Sequence, residues 1–170
     1  PRIKHLNPPD PKGLTRPYGR FFLPGPVEVR PEVLAAQLQP MTGHRGPDVQ
    51  AFIRELQVGL KDAFRTERPV FIVPCSGTGL MEAAIRNGAS NRVLSLVNGA
   101  FSKRFSSIAR QCALEVDEVS IPWGEAHDPD RVAAALSVRK YDAVTVAHSE
   151  TSTGVLNDLQ TLSEVVHQHA

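Results

Sequence analysis

The sequence predicts an α/β domain built on a mainly parallel sheet with helices on both faces, and three observations carry that expectation. Short apolar or β-branched runs at Pro69–Val73, Arg92–Val97 and Ala143–Ala147 have the composition of strands. Helical patterns lie between them, and strands separated by helices imply βαβ crossovers and parallel pairing. Each run also leads into a polar, small-residue loop, beginning near Ser76, Asn98 and Ser149. Ligands in such sheets sit at the carboxyl ends of the strands, so the loops are expected to face one crevice.

In chain order, residues 1–20 read as an extended arm, because Pro8-Pro9-Asp10-Pro11 sustains neither helix nor central strand. Pro24-Gly25-Pro26 then sets a rigid turn. Its Gly25 amide is placed either to serve the turn alone or to reach a small carboxylate. A short helix is expected from Pro31, with proline at the first helical position and Glu32, Val33, Leu34, Ala35 and Ala36 after it. The loop Met41–Gly46 holds His44 and Arg45 between glycines. Asp48 is expected to cap a second helix, whose stripe of Val49, Phe52, Ile53, Leu56, Leu60, Ala63 and Phe64 is expected in the core.

Pro69–Val73 reads as a buried strand, and Leu80–Ile85 is composed of strong helix formers. The turn between them, Pro74-Cys75-Ser76-Gly77-Thr78-Gly79, has the character of an anion seat. A helix start leaves backbone N–H groups unpaired and carries partial positive charge, Ser76 and Thr78 add hydroxyls, and Gly77 and Gly79 leave the backbone open to approach. An ordinary βα turn has the same composition, and the turn alone does not separate the two.

Arg92–Val97 reads as a strand leaving through Asn98-Gly99, followed by a helix over Phe101–Cys112 with Phe105, Ile108 and Ala109 inward. Val116–Ile121 alternates as a half-exposed strand does, and Trp123-Gly124 ends it. Asp128 and Pro129 open a helix through Val132, Ala135 and Leu136. Ala143–Ala147 is expected to be a buried strand, His148–Gly154 a polar loop, and Leu159–His169 an amphipathic helix with Leu162, Val165 and Val166 on its apolar side.

The bulk composition excludes several classes. The 170 residues are 41% hydrophobic and 22% charged, with 19 basic and 18 acidic residues and a net charge of +1, so no electrostatic footprint for nucleic acid or an anionic membrane exists. No apolar run approaches a bilayer span, and the expected location is cytoplasmic. Cys75 and Cys112 form neither a disulfide framework nor a metal spacing. The chain begins at Pro1 without an initiator methionine, as a processed or partial chain does.

Taken together, Pro24-Gly25-Pro26, Gly43-His44-Arg45, Ser76–Gly79 followed by Glu82-Ala83-Ala84, Asn98-Gly99-Ala100-Phe101, Trp123-Gly124 and Glu150–Val155 resemble the class V aminotransferases. The alanine–glyoxylate and serine–glyoxylate (serine–pyruvate) branch is the nearest in pattern, from about Phe21 to the last residue. The resemblance implies the fold-type I architecture of pyridoxal-phosphate enzymes, with residues 21–170 as the N-terminal part of the cofactor-binding large domain. It also implies a homodimer with active sites at the subunit interface.

Position by position, the resemblance implies that Ser76, Gly77 and Thr78 hold the cofactor phosphate and that Phe101 stacks on its ring. It places Thr151 beside the phenolic oxygen and Gly25 at the substrate carboxylate. Two of these residues have a structural alternative, a core side chain for Phe101 and a helix cap for Thr151. His44 and Arg45 receive no role. The family's Schiff-base lysine, the acid facing the ring nitrogen and the substrate-gripping arginine all lie beyond the matched segment, and none of Lys4, Lys12, Lys61, Lys103 or Lys140 stands at a strand end beside the expected crevice.

The expected activity of the complete protein is therefore transfer of an amino group between alanine or serine and glyoxylate or pyruvate. Within the same fold, a 2-aminoethylphosphonate transaminase or a cysteine desulfurase is an alternative. A non-catalytic cofactor-binding remnant and one half of a split enzyme are others. A nucleotide-binding Rossmann domain fits poorly, for the turn lacks both G-x-G-x-x-G and a P-loop lysine.

Overall fold

The computed structural model describes residues 23–169, so the arm expected over residues 1–20 lies outside the described residues. The chain divides into two units, Pro1–Ile72 and Val73–Ala170.

The first unit contains α1 (Pro31–Ala36) and α2 (Pro47–Phe64), each opened by a proline in its first turn. The expected cap at Asp48 is displaced: Gly46 is the N-cap and Asp48 lies in the first turn. Pro47 needs no hydrogen-bond acceptor and is already fixed at helical φ, which starts the helix two residues earlier than a cap at Asp48 would. The stripe assigned to the core is another correction. No residue of α2 is buried, and Phe52, Ile53 and Phe64 are exposed. Helical periodicity marks a face that favours cover without specifying what covers it.

Pro69–Val73 forms no strand, which corrects the expectation of a buried one. The side-chain amide of Gln57 accepts from the Val70 N–H at 2.9 Å and donates to its carbonyl at 2.8 Å, doing locally what a ladder partner would do. Phe71 is 85% exposed. Strand-like composition describes suitability for a pleated surface and does not supply a neighbour to pair with.

The second unit is the α/β body. It runs α3 (Gly77–Gly88), β1 (Arg92–Val97), α4 (Ala100–Gln111), β2 (Glu115–Ser120), α5 (Pro129–Val138), β3 (Ala143–Thr145), β4 (Ser149–Glu150), β5 (Val155–Leu156) and α6 (Leu159–Gln168). Strands β2-β1-β3 form a parallel sheet, with Val93 level with Val116 on one side and Ala143 on the other. Central β1 is buried on both faces, as its apolar run requires. Successive side chains of a strand point to opposite faces. Leu94 and Leu96 accordingly pack with Val132 and Leu136 of α5 and Leu162 of α6, while Val93 packs with Ile85 of α3 and Ile108 and Ala109 of α4. Helices therefore cover both faces, as the sequence predicts.

Polar contacts fix the edges of this body. Glu118 of β2 receives Lys103, Ser106 and Arg110 from α4. Its partial burial acts to raise the carboxyl pKa, but these donors outweigh it and hold the group at about 2. Asp142 accepts from the backbone N–H groups of Ser90, Asn91 and Arg92, tying the start of β3 to the entrance of β1. The strand expected over Ala143–Ala147 is only half-buried and stops at Thr145. Beyond it Asn157 takes over, donating its side-chain N–H to the Ala147 carbonyl at 2.7 Å and its backbone N–H to the His148 carbonyl at 2.8 Å. The expected loop after β3 contains the β4–β5 hairpin. Among the described residues no helix is long and apolar enough to cross a membrane.

Candidate functional site

Strand β1 is followed by α4 on one face of the sheet and β3 is followed by α6 on the other. Adjacent parallel strands whose connections leave to opposite faces open a crevice beyond their carboxyl ends. Asn98, directly after β1, and the segment after β3 are joined across this point: Asn98 Nδ2 donates to Asn157 Oδ1 at 3.2 Å and to the Glu125 carbonyl at 3.0 Å. The His127 N–H donates to the same Asn157 oxygen at 3.0 Å. Asn98 and Asn157 are both buried, so each bond substitutes for one to water.

Two long helices start beside the candidate residues, and they differ in what their first N–H groups meet. Gly99 is the N-cap of α4 and has no side chain with which to cap it. Strand β4 and the loop after it supply the acceptors. Ser152 Oγ accepts from Ala100 N at 2.9 Å, and the fully buried Glu150 carboxylate accepts from Phe101 N at 3.2 Å and Ser102 N at 2.8 Å. Ser102 Oγ also donates to Glu150, at 2.9 Å, and Ser152 Oγ does so at 2.6 Å. Burial alone would raise the Glu150 pKa, yet the donations from Ser152, Ser102 and the Phe101 N–H overcome it and leave the pKa lowered. The start of α4 is thus filled by the protein's own anion.

The start of α3 is open. Ser76 is its N-cap and accepts from Gly79 N at 3.3 Å. The N–H groups of Gly77 and Thr78 have no acceptor among the described residues. A Cβ on Gly77 would meet nothing within 4 Å, whereas one on Gly79 would touch Cys75 Cβ and Sγ at 3.4 Å. Open amides, two hydroxyls and an uncluttered glycine at a helix N-terminus are the donor set for a phosphate or another small anion. The residues present fit such a group.

The expected residues Ser76, Gly77, Thr78, Phe101 and Thr151 all belong to the second unit, and side chains connect them. Arg104 donates from Nη1 to Thr78 Oγ1 at 3.3 Å, while its Cζ stands 5.6 Å from the centroid of the Phe101 ring. Phe101 is 38% exposed and so is no buried core side chain of its helix. Thr151 is exposed in the β4–β5 loop and caps no helix among the described residues. Gly25, His44 and Arg45 belong to the first unit, where Gly25 is exposed in a turn with a cis peptide to Pro26.

Sequence reasoning missed Glu150, Ser152 and Arg104. For Glu150 and Ser152 a glycine at an N-cap position is the one signal, since a helix start without a capping side chain must find its acceptor elsewhere, and nothing comparable marks Arg104. His127 was also missed. It is buried, neither ring nitrogen has a hydrogen-bond partner among the described residues, and burial, assisted by the charge of Arg131, lowers its pKa.

The fold is a parallel α/β body that matches part of the fold-type I aminotransferase architecture. An alanine–glyoxylate aminotransferase of Nostoc sp. superposes with a TM-score of 0.80 at 29% identity, over 98% of this chain and 46% of that one. An uncharacterized aminotransferase of Methanocaldococcus jannaschii is 38% identical over 151 residues, 86% of this chain and 39% of its own length. A serine–glyoxylate aminotransferase of Methylorubrum extorquens is 31% identical over 160 residues, 89% and 40% respectively. A protein named soluble hydrogenase, small subunit, from Synechococcus sp. matches at 36% over 154 residues, 88% and 40%. No family model matches. The chain belongs to the class V aminotransferase family, in its alanine/serine–glyoxylate branch, and spans about two fifths of the length of the curated relatives it matches. That family uses pyridoxal phosphate.

Proposed function

We propose that the complete protein is a transaminase that moves an amino group between a small amino acid, alanine or serine, and a small 2-oxo acid, glyoxylate or pyruvate. Pyridoxal phosphate, when bound, supplies the electron-withdrawing ring through which amino groups are exchanged. This chain's part is to seat that cofactor. The observation that carries the reading is the open start of α3, linked through Arg104 to Phe101 and thence through Glu150 to the loop of Thr151.

In this reading the N–H groups of Gly77 and Thr78 and the hydroxyls of Ser76 and Thr78 donate to the phosphate. The Phe101 ring packs on the flat face of the cofactor and excludes water from it. Thr151 donates to the phenolic oxygen and favours its ionised form. Gly25 offers its amide to the substrate carboxylate, and the protein works as a homodimer that shares its sites. The Schiff-base lysine comes from outside this chain. Of the described lysines of the second unit, Lys103 pairs with Glu118 at 3.0 Å and Lys140 donates to the His169 carbonyl at 3.2 Å, so both are engaged elsewhere.

The test is amino transfer by the complete protein loaded with pyridoxal phosphate, followed as glyoxylate-dependent loss of alanine or serine. Transfer with either donor is expected. Hydrogen oxidation without any amino transfer, as the name of the Synechococcus relative would have it, overturns the reading.

A further inference from the structure

Arg104 is the one cation within hydrogen-bond reach of the open α3 start among the described residues, and nothing in the family resemblance assigned it. It lies one helical turn after Phe101 on α4, so both side chains leave the same face of that helix. Its guanidinium forms no ion pair within 4.0 Å of a carboxylate among the described residues, unlike Arg86, Arg92 and Arg110. It is instead spent on two neutral partners, the Thr78 hydroxyl and the Phe101 ring.

We propose that Arg104 is a specificity-determining residue that makes this seat select a phosphate-bearing cofactor over its unphosphorylated form. This rests on the cofactor-seat reading above and adds a residue to it. A guanidinium is a donor only, so toward Arg104 the Thr78 oxygen is an acceptor, which leaves the hydroxyl hydrogen free to be given to another oxygen. Donating to the hydroxyl also polarises it and strengthens the bond it makes in turn. The turn itself carries no formal charge, from Pro74 to Gly79, and a phosphate monoester near neutral pH is largely a dianion. Arg104 brings the counter-charge, while its contact with Phe101 ties the ring that meets the cofactor's flat face to the turn that meets its phosphate. Lysine would keep the charge but lose the planar fork that serves both partners at once.

The test measures dissociation constants of pyridoxamine 5′-phosphate and of pyridoxamine with the complete protein by calorimetry, since neither ligand needs a lysine to attach. Arg104→Gln is expected to weaken the phosphate ester about tenfold or more, the order of one charge-assisted hydrogen bond, while leaving pyridoxamine nearly unchanged. Arg104→Lys is expected to recover part of the loss. In a Thr78→Val background the cost of Arg104→Gln should shrink, because the two act as a pair. Equal weakening of both ligands, or none, overturns the role of Arg104 and leaves the seat standing. Failure of the wild-type protein to prefer the phosphate ester overturns the seat and this inference together.

Discussion

The carboxylate of Glu150 occupies the space that a side chain on Gly99 would fill. A Cβ on Gly99 would fall inside the van der Waals envelope of Glu150 Cγ and Cδ and 2.7 Å from Ser152 Oγ. Gly99 has φ 178, which any residue adopts, so glycine is needed here for space and not for conformation. The bare backbone there lets an acid of β4, 48 residues after Ser102, cap α4 in place of the N-cap residue itself. Phe101 and Thr151, on the two sides of this contact, are thereby held in fixed relation.

Gly99→Ala should therefore break the latch. Glu150 is fully buried and bonded on both oxygens, so it cannot swing aside cheaply. Overpacking of this kind costs about 1–3 kcal/mol. Urea unfolding of the variant should show the midpoint fall with the slope unchanged, and an unaltered midpoint would show that the loop yields freely.

Glu150→Gln removes the charge at nearly constant shape. An amide turns an N–H₂ toward donors that need an acceptor, and a loss of about 2 kcal/mol is expected at neutral pH. The pH dependence has a definite sign. The folded carboxyl pKa is lowered from its ordinary 4.5, so its stabilisation is fully present above that value and is lost as pH falls below it toward the folded pKa. Between pH 7 and pH 4 the wild-type unfolding midpoint should fall further than that of the variant.

The alternation that predicts a parallel α/β body was legible because β1, α4, α5 and α6 satisfy their pattern locally: the Val93–Val97 run is buried, Asp128 caps α5 as expected, and Leu162 faces the core. What misled was every feature whose partner lies elsewhere. Phe71 and Phe52 have the composition of covered residues and are exposed, for apolar character states a preference and names no neighbour. The open donor set at Ser76–Gly79 was legible because its chemistry is contained in one turn. Glu150 and Arg104 were not, since their meaning depends on contacts 48 and 26 residues away in sequence.

His127 should set the stability of the protein just below neutrality. Burial, with help from the charge of Arg131, lowers its folded pKa from 6.5, so the unfolded chain binds the proton first. Stability is then fully present above about pH 6.5 and declines as pH falls from there toward the folded pKa. Carboxylates with lowered pKa values act below about pH 4.5, outside this interval. Unfolding midpoints at pH 7.5 and pH 5.5 should therefore differ in the wild type and converge in His127→Leu, which also removes two buried nitrogens that have no partner among the described residues. A pH difference that persists in the variant would assign the effect to another group.

Gly77→Ala separates what folding needs at the α3 start from what an anion needs. Folding needs no glycine there: the added methyl would meet nothing within 4 Å, and alanine has less backbone entropy to lose in a helix. The midpoint of unfolding should hold or rise, by about 0.5 kcal/mol. A phosphate received by the Gly77 and Thr78 amides must, by contrast, come close to that backbone, and a methyl beside its path displaces it or lengthens its bonds. Pyridoxamine 5′-phosphate should then bind about tenfold more weakly, the loss of about one good hydrogen bond. Unchanged stability with weakened binding marks position 77 as a place kept bare for a ligand. Unchanged binding would mean that the anion does not approach there and would move the phosphate away from the α3 N-terminus.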